Sequence, residues 1–140
     1  MKVRVKWLEG MAFVGESGSG HAVVMDGPPD LGGRNLGPRP MEMLLLGMGS
    51  CASVDVVEIL KKARQHITDC VVEIDAERAD SAPKVFTHIR MHFIVTGHDL
   101  GEKQVQRAVN LSAEKYCSAS RMLAQVARVE HSVEIRQAVD

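Results

Sequence analysis

The sequence lacks an excess of charge of either sign. Its 17 lysines and arginines are matched by 18 acidic residues, so the net charge is −1 when the histidines are neutral. Proteins that bind nucleic acid or anionic membranes present a basic surface, and this composition offers none. We therefore expect partners that include no nucleic acid and no membrane.

Long hydrophobic runs are missing as well. The longest apolar stretch, residues 43–54, lies between Glu42 and Asp55 and is too short to span a bilayer. The first ten residues, MKVRVKWLEG, lack the apolar centre of a signal peptide. These features predict a cytoplasmic protein. A length of 140 residues suits one domain, residues 1–140, with a core of its own.

Cysteine is scarce. The three cysteines, Cys51, Cys70 and Cys117, are odd in number and show no CxxC spacing, which argues against a disulfide scaffold and against a zinc site. Cys70 lies at the front of an expected strand and is predicted to be structural. No cofactor is predicted. In a reducing compartment, the other two thiols are candidates for redox chemistry.

Alternating and helical patterns predict an α+β fold. Val3, Val5 and Trp7 alternate with basic residues, and two further short strands complete an antiparallel meander by residue 26. Such a meander is marginal alone, so it must dock on the rest of the subunit or on a partner. After a Pro- and Gly-rich loop, the remaining elements are a helix (40–64), a β-hairpin (68–96), two helices (102–116 and 120–127) and a strand (130–137). Ser118 and Ser120 are candidate caps of the shorter helix.

The helix from Pro40 to Arg64 is the expected centre of the fold. Its first half is apolar on all sides, which predicts burial with the chain wrapped around it. Gly47 and Gly49 lower helix propensity near Cys51, so we expect another backbone to approach closely there.

Cys51 and Cys117 have two interpretations. Free cysteine is among the most buried residue types and often acts only as a small hydrophobe. However, small residues around Cys51 leave room for a second group, and Cys117 precedes a short helix whose first N–H groups are expected to lower its pKa. Two neighbouring thiols can act as a peroxidatic and resolving pair, forming a sulfenic acid and then a disulfide.

The segments PMEMLLLGMGSCASVDVV and KYCSASRML, together with the element order, resemble the OsmC/Ohr family of small thiol proteins, closest to its YhfA-like branch. In that family a proline starts the central helix and the reactive cysteine follows eleven residues later, as Pro40 and Cys51 do. The resolving cysteine begins the last helical segment and matches Cys117. The resemblance covers nearly the whole chain and implies an OsmC-like α+β fold and an intertwined homodimer with each active site at the interface. It also implies reduction of organic hydroperoxides by a thiol reductant such as a lipoyl-type dithiol.

The sequence departs from the family pattern at two positions. Met41 stands where relatives carry a glutamate that orients an arginine, and the acid is Glu42, about 100° further around the helix. The family's catalytic arginine lies in the N-terminal strands, but residues 11–26 contain none. Arg34 and Arg39 are candidate replacements, and the alternative for both is a solvent-facing loop arginine.

Three hypotheses follow. In the first, the protein is a thiol peroxidase with Cys51 peroxidatic, Cys117 resolving, Arg39 or Arg34 as the activating cation and Glu42 as its orienter. In the second, the same fold is a non-catalytic module that binds an apolar small molecule or senses oxidation. In the third, it is a purely structural dimer.

A metal site is the remaining candidate. His88 and His92 are four apart in an expected strand and so share a face, where His98 or His131 could join them. Histidines on a sheet surface are more often ordinary polar residues, and no cysteine or carboxylate lies at a ligand spacing. No metal is predicted.

Overall fold

A computed structural model describes residues 1–140. It contains three α-helices and six strands, and the strands form two three-stranded sheets. This mixed α+β architecture and the order of its elements confirm the sequence prediction. The elements are β1 (Val3–Glu9), β2 (Ala12–Ser17), β3 (Ala22–Asp26), α1 (Pro40–Lys62), β4 (His66–Arg78), β5 (Phe86–His98), α2 (Glu102–Leu111), α3 (Ser118–Leu123) and β6 (Arg128–Gln137).

The chain divides into two compact units, Met1–Leu46 and Gly47–Asp140. The boundary lies within α1, which begins in the first unit and ends in the second. A single domain over residues 1–140 stays a prediction.

The first unit contains the predicted meander, with β2 pairing antiparallel to both β1 and β3. Gly10, with φ +55°, makes the turn between β1 and β2, where glycine carries no steric cost. Every residue of β1 is exposed. Val3, Val5 and Trp7 keep 72%, 61% and 60% of their surface accessible, so an apolar strand face is left open to solvent.

Asp26 organises the loop that follows β3. Its side chain is 1% exposed and accepts backbone N–H bonds from Gly27 (2.9 Å), Arg34 (3.0 Å) and Leu36 (3.2 Å). The bond from the Arg34 backbone is the main cause that lowers the pKa of Asp26, and burial opposes it. A carboxylate that accepts several N–H bonds favours its charged form, so ionised Asp26 holds this loop in place.

Asp26→Asn is expected to make the free energy of unfolding depend less on pH in the acid range. Because the folded-state pKa of Asp26 is lowered, its stabilisation is fully present above the unfolded pKa of about 3.9 and is lost as pH falls through the folded pKa. The free energy of unfolding of the native chain should therefore converge on that of the variant in acid. Asp30→Asn, at an exposed acid of the same loop, is the control, and equal pH profiles for all three proteins would contradict the prediction.

The second unit is built on the sheet β4-β5-β6. β4 and β5 pair antiparallel, whereas β5 and β6 pair parallel. Parallel neighbours need a crossover connection, and α2 and α3 supply it. Alternate residues of β5 and one side of α2 form the core, which includes Ile89, Met91, Phe93, Val95, Val105, Ala108 and Val109.

Helix α1 is buried along one stripe. Met48, Ala52, Val56 and Leu60, each four apart, have no exposed surface, whereas Val54 is 65% exposed. The prediction that this helix is enclosed on all sides is therefore wrong for the single chain, because the apolar residues on its other faces are left uncovered.

Gly49, one of the small residues near Cys51, lies where α1 packs closely. A Cβ at this position would lie 3.0 Å from Ile74 Cδ1 and 3.2 Å from Val72 Cγ1, so α1 lies close against β4. The close approach expected at this glycine is real, but side chains rather than another backbone make it. Gly47 faces open space.

By length and composition, α1 is long and apolar enough to cross a membrane. The apolar run at residues 43–54 is too short to span a bilayer, but the whole helix is not. The core helix of a soluble protein satisfies the same criterion, and one side of α1 packs in the core of the second unit.

Candidate functional site

The structure brings Cys51 and Cys117 together. Cys51 is partly exposed near the middle of α1, and Cys117 has no exposed surface. The Cys117 thiol donates to the carbonyl of Met48, three residues before Cys51, at 3.9 Å, and its side chain also interacts with that of Cys51. Two thiols 66 positions apart in the chain thus interact beside the turn of α1 that contains Met48 and Cys51.

A π-helical turn places Cys117. The predicted helix 102–116 is present, but residues Ser112–Tyr116 form a π turn after α2. The N–H of Cys117 closes this turn on the Ser112 carbonyl at 2.9 Å. Isolated π turns are rare and are frequent at functional sites.

Cys117 is itself the N-cap of α3. Its extended backbone (φ −71°, ψ 106°) precedes the helix, and its sulfur accepts an N–H bond from Ser120. The expectation that Ser118 or Ser120 caps this helix is therefore wrong, because the cysteine sulfur takes the place of the capping oxygen.

Ser120 directs two donors at the Cys117 sulfur. Its hydroxyl lies 3.1 Å from Sγ and its backbone N–H lies 3.3 Å away. Ser120 is 1% exposed, so neither contact competes with bulk water.

Burial is the main influence on the Cys117 thiol and raises its pKa. The two bonds from Ser120 oppose the rise, whereas a hydrogen bond with Cys51 and the charge of Cys51 add to it. The net direction is upward, so the expectation that the helix start would lower the pKa of Cys117 is wrong. Burial disfavours the Cys117 thiolate by more than the two Ser120 hydrogen bonds stabilise it.

Ser112 links the two cysteine segments. Its buried hydroxyl donates to the Ala52 carbonyl at 2.8 Å and approaches Asp55 Oδ2 at 3.4 Å. Its own carbonyl accepts from Cys117 N–H. A single residue therefore connects the turn of α1 that carries Cys51 with the backbone of Cys117.

Replacing this link should cost stability. Ser112→Ala removes a buried hydrogen bond and leaves Asp55 without this donor, so we expect the free energy of unfolding to fall by about 1–2 kcal/mol. Urea unfolding measures the loss. Ser118→Ala, at an exposed serine of α3, is the matched control, and an equal change in both variants would refute the role of the link.

Cys70 lies on β4 opposite Val95 and is partly buried. Burial raises the pKa of its thiol, and the charge of Asp69 adds to the rise. A protonated, partly buried strand cysteine matches the predicted structural role.

No group of three or more His, Cys, Asp or Glu side chains is placed to hold a metal ion. His88 Nε2 lies 2.5 Å from Glu130 Oε2, His92 Nδ1 lies 2.7 Å from Ser132 Oγ, and His131 Nε2 lies 2.9 Å from Asn110 Oδ1.

The three other predicted site residues belong to the first unit. The Arg34 guanidinium pairs with Glu9 at 2.9 Å, and that of Arg39 donates to Asn35 Oδ1 at 2.9 Å. Glu42 Oε1 accepts the backbone N–H of Arg39 at 2.8 Å. Because Glu42 is the third residue of α1, this contact is half of a capping box and stabilises the start of the helix.

Ser112 and Ser120 are site residues that were not predicted from the sequence. Ser120 follows Cys117 by three residues, the spacing at which an N-cap side chain meets a backbone N–H, so the CSAS segment contained a usable signal. Ser112 offers no such signal, because its contact with Ala52 joins residues 60 positions apart.

Several known proteins are similar to this chain. The family model described as OsmC-like protein matches residues 32–132. Protein YhfA of Escherichia coli K12 is 51% identical over 135 residues, covering 96% of this chain and 98% of YhfA.

Solved structures show the same fold. A hypothetical protein from Aquifex aeolicus is 29% identical with a TM-score of 0.87, covering 99% of this chain and 97% of that one. An organic hydroperoxide resistance protein, OsmC, from Legionella pneumophila is 18% identical with a TM-score of 0.72, covering 96% and 97%. At that identity the second likeness concerns the fold alone.

Proposed function

Because this chain belongs to the OsmC family, we propose that it is a thiol-dependent peroxidase that reduces organic hydroperoxides through Cys51 and Cys117. One observation carries the proposal: a partly exposed thiol on α1 interacts with a second thiol that is fully buried. The choice of substrate follows the Legionella pneumophila protein of the same fold, which is an organic hydroperoxide resistance protein.

The reaction has two steps within the protein. Cys51, as a thiolate, attacks the terminal oxygen of the hydroperoxide, the O–O bond breaks, and the alkoxide leaves as an alcohol after gaining a proton. Cys51 is then a sulfenic acid. The Cys117 sulfur attacks that sulfur, the S–O bond breaks, and water leaves with the proton of Cys117. An external dithiol reduces the resulting disulfide and completes the cycle.

The surroundings of the two thiols support this division of roles. Peroxide must reach the attacking sulfur, and of the pair only Cys51 has exposed surface. Burial and the interaction with Cys51 raise the pKa of Cys117 and keep it protonated. A protonated, enclosed thiol does not compete for peroxide and remains available for the second step.

Arg34, Arg39 and Glu42 stay predictions as activating groups. In the first unit their side chains already contact Glu9, Asn35 and the Arg39 backbone. These contacts favour a second candidate function, in which the protein senses oxidation, or binds an apolar molecule, and does not turn over rapidly.

We also propose that the protein is a cytoplasmic homodimer. The open apolar face of β1 and the exposed Val54 of α1 leave apolar surface that a second copy would cover. Sedimentation of the purified protein tests the oligomeric state, and a monomer at micromolar concentration would exclude the dimer.

A turnover assay tests the proposed activity. We expect the reduced protein to consume cumene hydroperoxide with dihydrolipoamide as reductant, and to consume it faster than hydrogen peroxide. Consumption of one equivalent without turnover would favour the sensing function. Persistence of all three free thiols in excess hydroperoxide would exclude both.

A further inference from the structure

Ser120 is a buried hydroxyl that the redox reaction described above does not use. Its hydroxyl donates a hydrogen bond to the Cys117 sulfur at 3.1 Å, and its backbone N–H donates to the same atom at 3.3 Å. A buried serine elsewhere in this unit, Ser112, bonds to backbone and carboxylate oxygens instead. The hydroxyl of Ser120 is thus aimed at the second reacting atom of the pair.

The remaining contacts of Cys117 come from α1. Its S–H donates to the Met48 carbonyl at 3.9 Å, whereas the sulfur accepts from the two Ser120 donors. The titratable group that acts on Cys117 is Cys51, whose hydrogen bond and charge raise the pKa of Cys117. Oxidation of Cys51 to an uncharged sulfenic acid or a mixed disulfide removes that charge and leaves the Ser120 donors in place.

We propose that Ser120 is a catalytic residue of the resolving step, in which its hydroxyl stabilises the Cys117 thiolate as that thiolate attacks oxidised Cys51. The inference rests on the proposed function for its biological setting. The contact itself is independent of the oxidant, because any leaving group on Cys51 requires the same attack.

The disulfide-forming reagent DTNB separates this inference from peroxide chemistry. In a Cys70→Ala background, Cys51 attacks DTNB, its S–S bond breaks, and one thionitrobenzoate leaves. Cys117 then attacks the Cys51 sulfur of the mixed disulfide, and a second thionitrobenzoate leaves as the Cys51–Cys117 disulfide forms. The absorbance of released thionitrobenzoate follows both phases, and the second phase measures the resolving step.

Ser120→Ala should change the second phase in a pH-dependent way. Loss of the donor raises the pKa of Cys117, and each unit of increase reduces the thiolate fraction at neutral pH about tenfold. A thiolate of higher pKa is also about threefold more nucleophilic per unit. For each unit of increase we therefore expect disulfide closure to be about threefold slower at pH 7. The ratio of the variant rate to the parent rate should rise with pH. It should exceed one at a pH where Cys117 is ionised in both proteins.

Matched variants separate this chemistry from a structural defect. Ser118→Ala, on the exposed side of α3, should leave both phases unchanged. A Ser120→Thr and Ser120→Val pair has nearly one shape and differs in the hydroxyl, so it serves where the alanine variant fails to fold. Faster neutral closure in Thr than in Val, with the same pH trend, supports the proposal. A variant-to-parent ratio that is constant across pH, or equal rates for Thr and Val, would overturn it.

A parallel arm with cumene hydroperoxide distinguishes the two proposals. Ser120-dependent closure after DTNB, with thiols untouched by hydroperoxide, would leave the role of Ser120 standing and refute the peroxidase. Hydroperoxide-driven disulfide formation with no effect of the Ser120 substitutions would support the peroxidase and refute the role of Ser120.

Discussion

Cys51→Ser is expected to abolish hydroperoxide consumption. The serine hydroxyl lacks the ionised sulfur that attacks peroxide, and Cys117, which is fully buried with a raised pKa, cannot replace it. Loss of the nucleophile should lower the turnover rate by about three orders of magnitude or more, the scale seen when other enzymes lose theirs. A coupled assay with dihydrolipoamide measures the rate.

Cys70→Ser is the matched control for that experiment, because it removes a thiol that is partly buried on β4 and lies outside the pair. Its turnover should stay within about twofold of the native rate, since surface and strand substitutions away from the chemistry act mainly through stability. Equal losses in both variants, or retained turnover in Cys51→Ser, would remove Cys51 from the reaction.

Cys117→Ser should separate the two steps. Cys51 still attacks the hydroperoxide, but no second sulfur is available to displace water, so the sulfenic acid persists. We expect a burst of about one equivalent of hydroperoxide per chain and labelling of Cys51 by a dimedone probe, followed by slow turnover limited by direct attack of the external thiol. Mass spectrometry of the labelled peptide identifies the modified residue.

The native protein treated in the same way provides the comparison, because its sulfenic acid should be short-lived and poorly labelled. Labelling of Cys51 that is equal in the native protein and in Cys117→Ser would mean that Cys117 does not resolve the intermediate. Labelling at Cys70 would place the reactive thiol on the sheet instead of on α1.

Much of the fold could be predicted from the sequence because its signals are local. The alternation of Val3, Val5 and Trp7 indicates a strand, and Pro40 marks the first residue of α1. The enclosure of α1 could not be predicted, since its apolar residues face in all directions and the sequence does not say which of them the same chain covers. The structure buries the stripe that includes Met48 and Ala52 and leaves Val54 exposed.

The site was predictable only in part. Family resemblance paired Cys51 with Cys117, and the structure places them in interaction. The direction of the pKa shift was predicted wrongly, because the sequence revealed the helix start beside Cys117 but not the burial that outweighs it. The contact of Ser112 with Ala52 depends on how the π turn after α2 meets α1, which no short-range pattern encodes.

Disulfide mapping after a single equivalent of cumene hydroperoxide tests the central claim most directly. Reduced protein is oxidised, its remaining thiols are alkylated, and the linked peptides are identified by tandem mass spectrometry without reduction. The proposed mechanism predicts a Cys51–Cys117 disulfide with Cys70 recovered as an alkylated thiol. Three alkylated thiols, or a disulfide that includes Cys70, would contradict it.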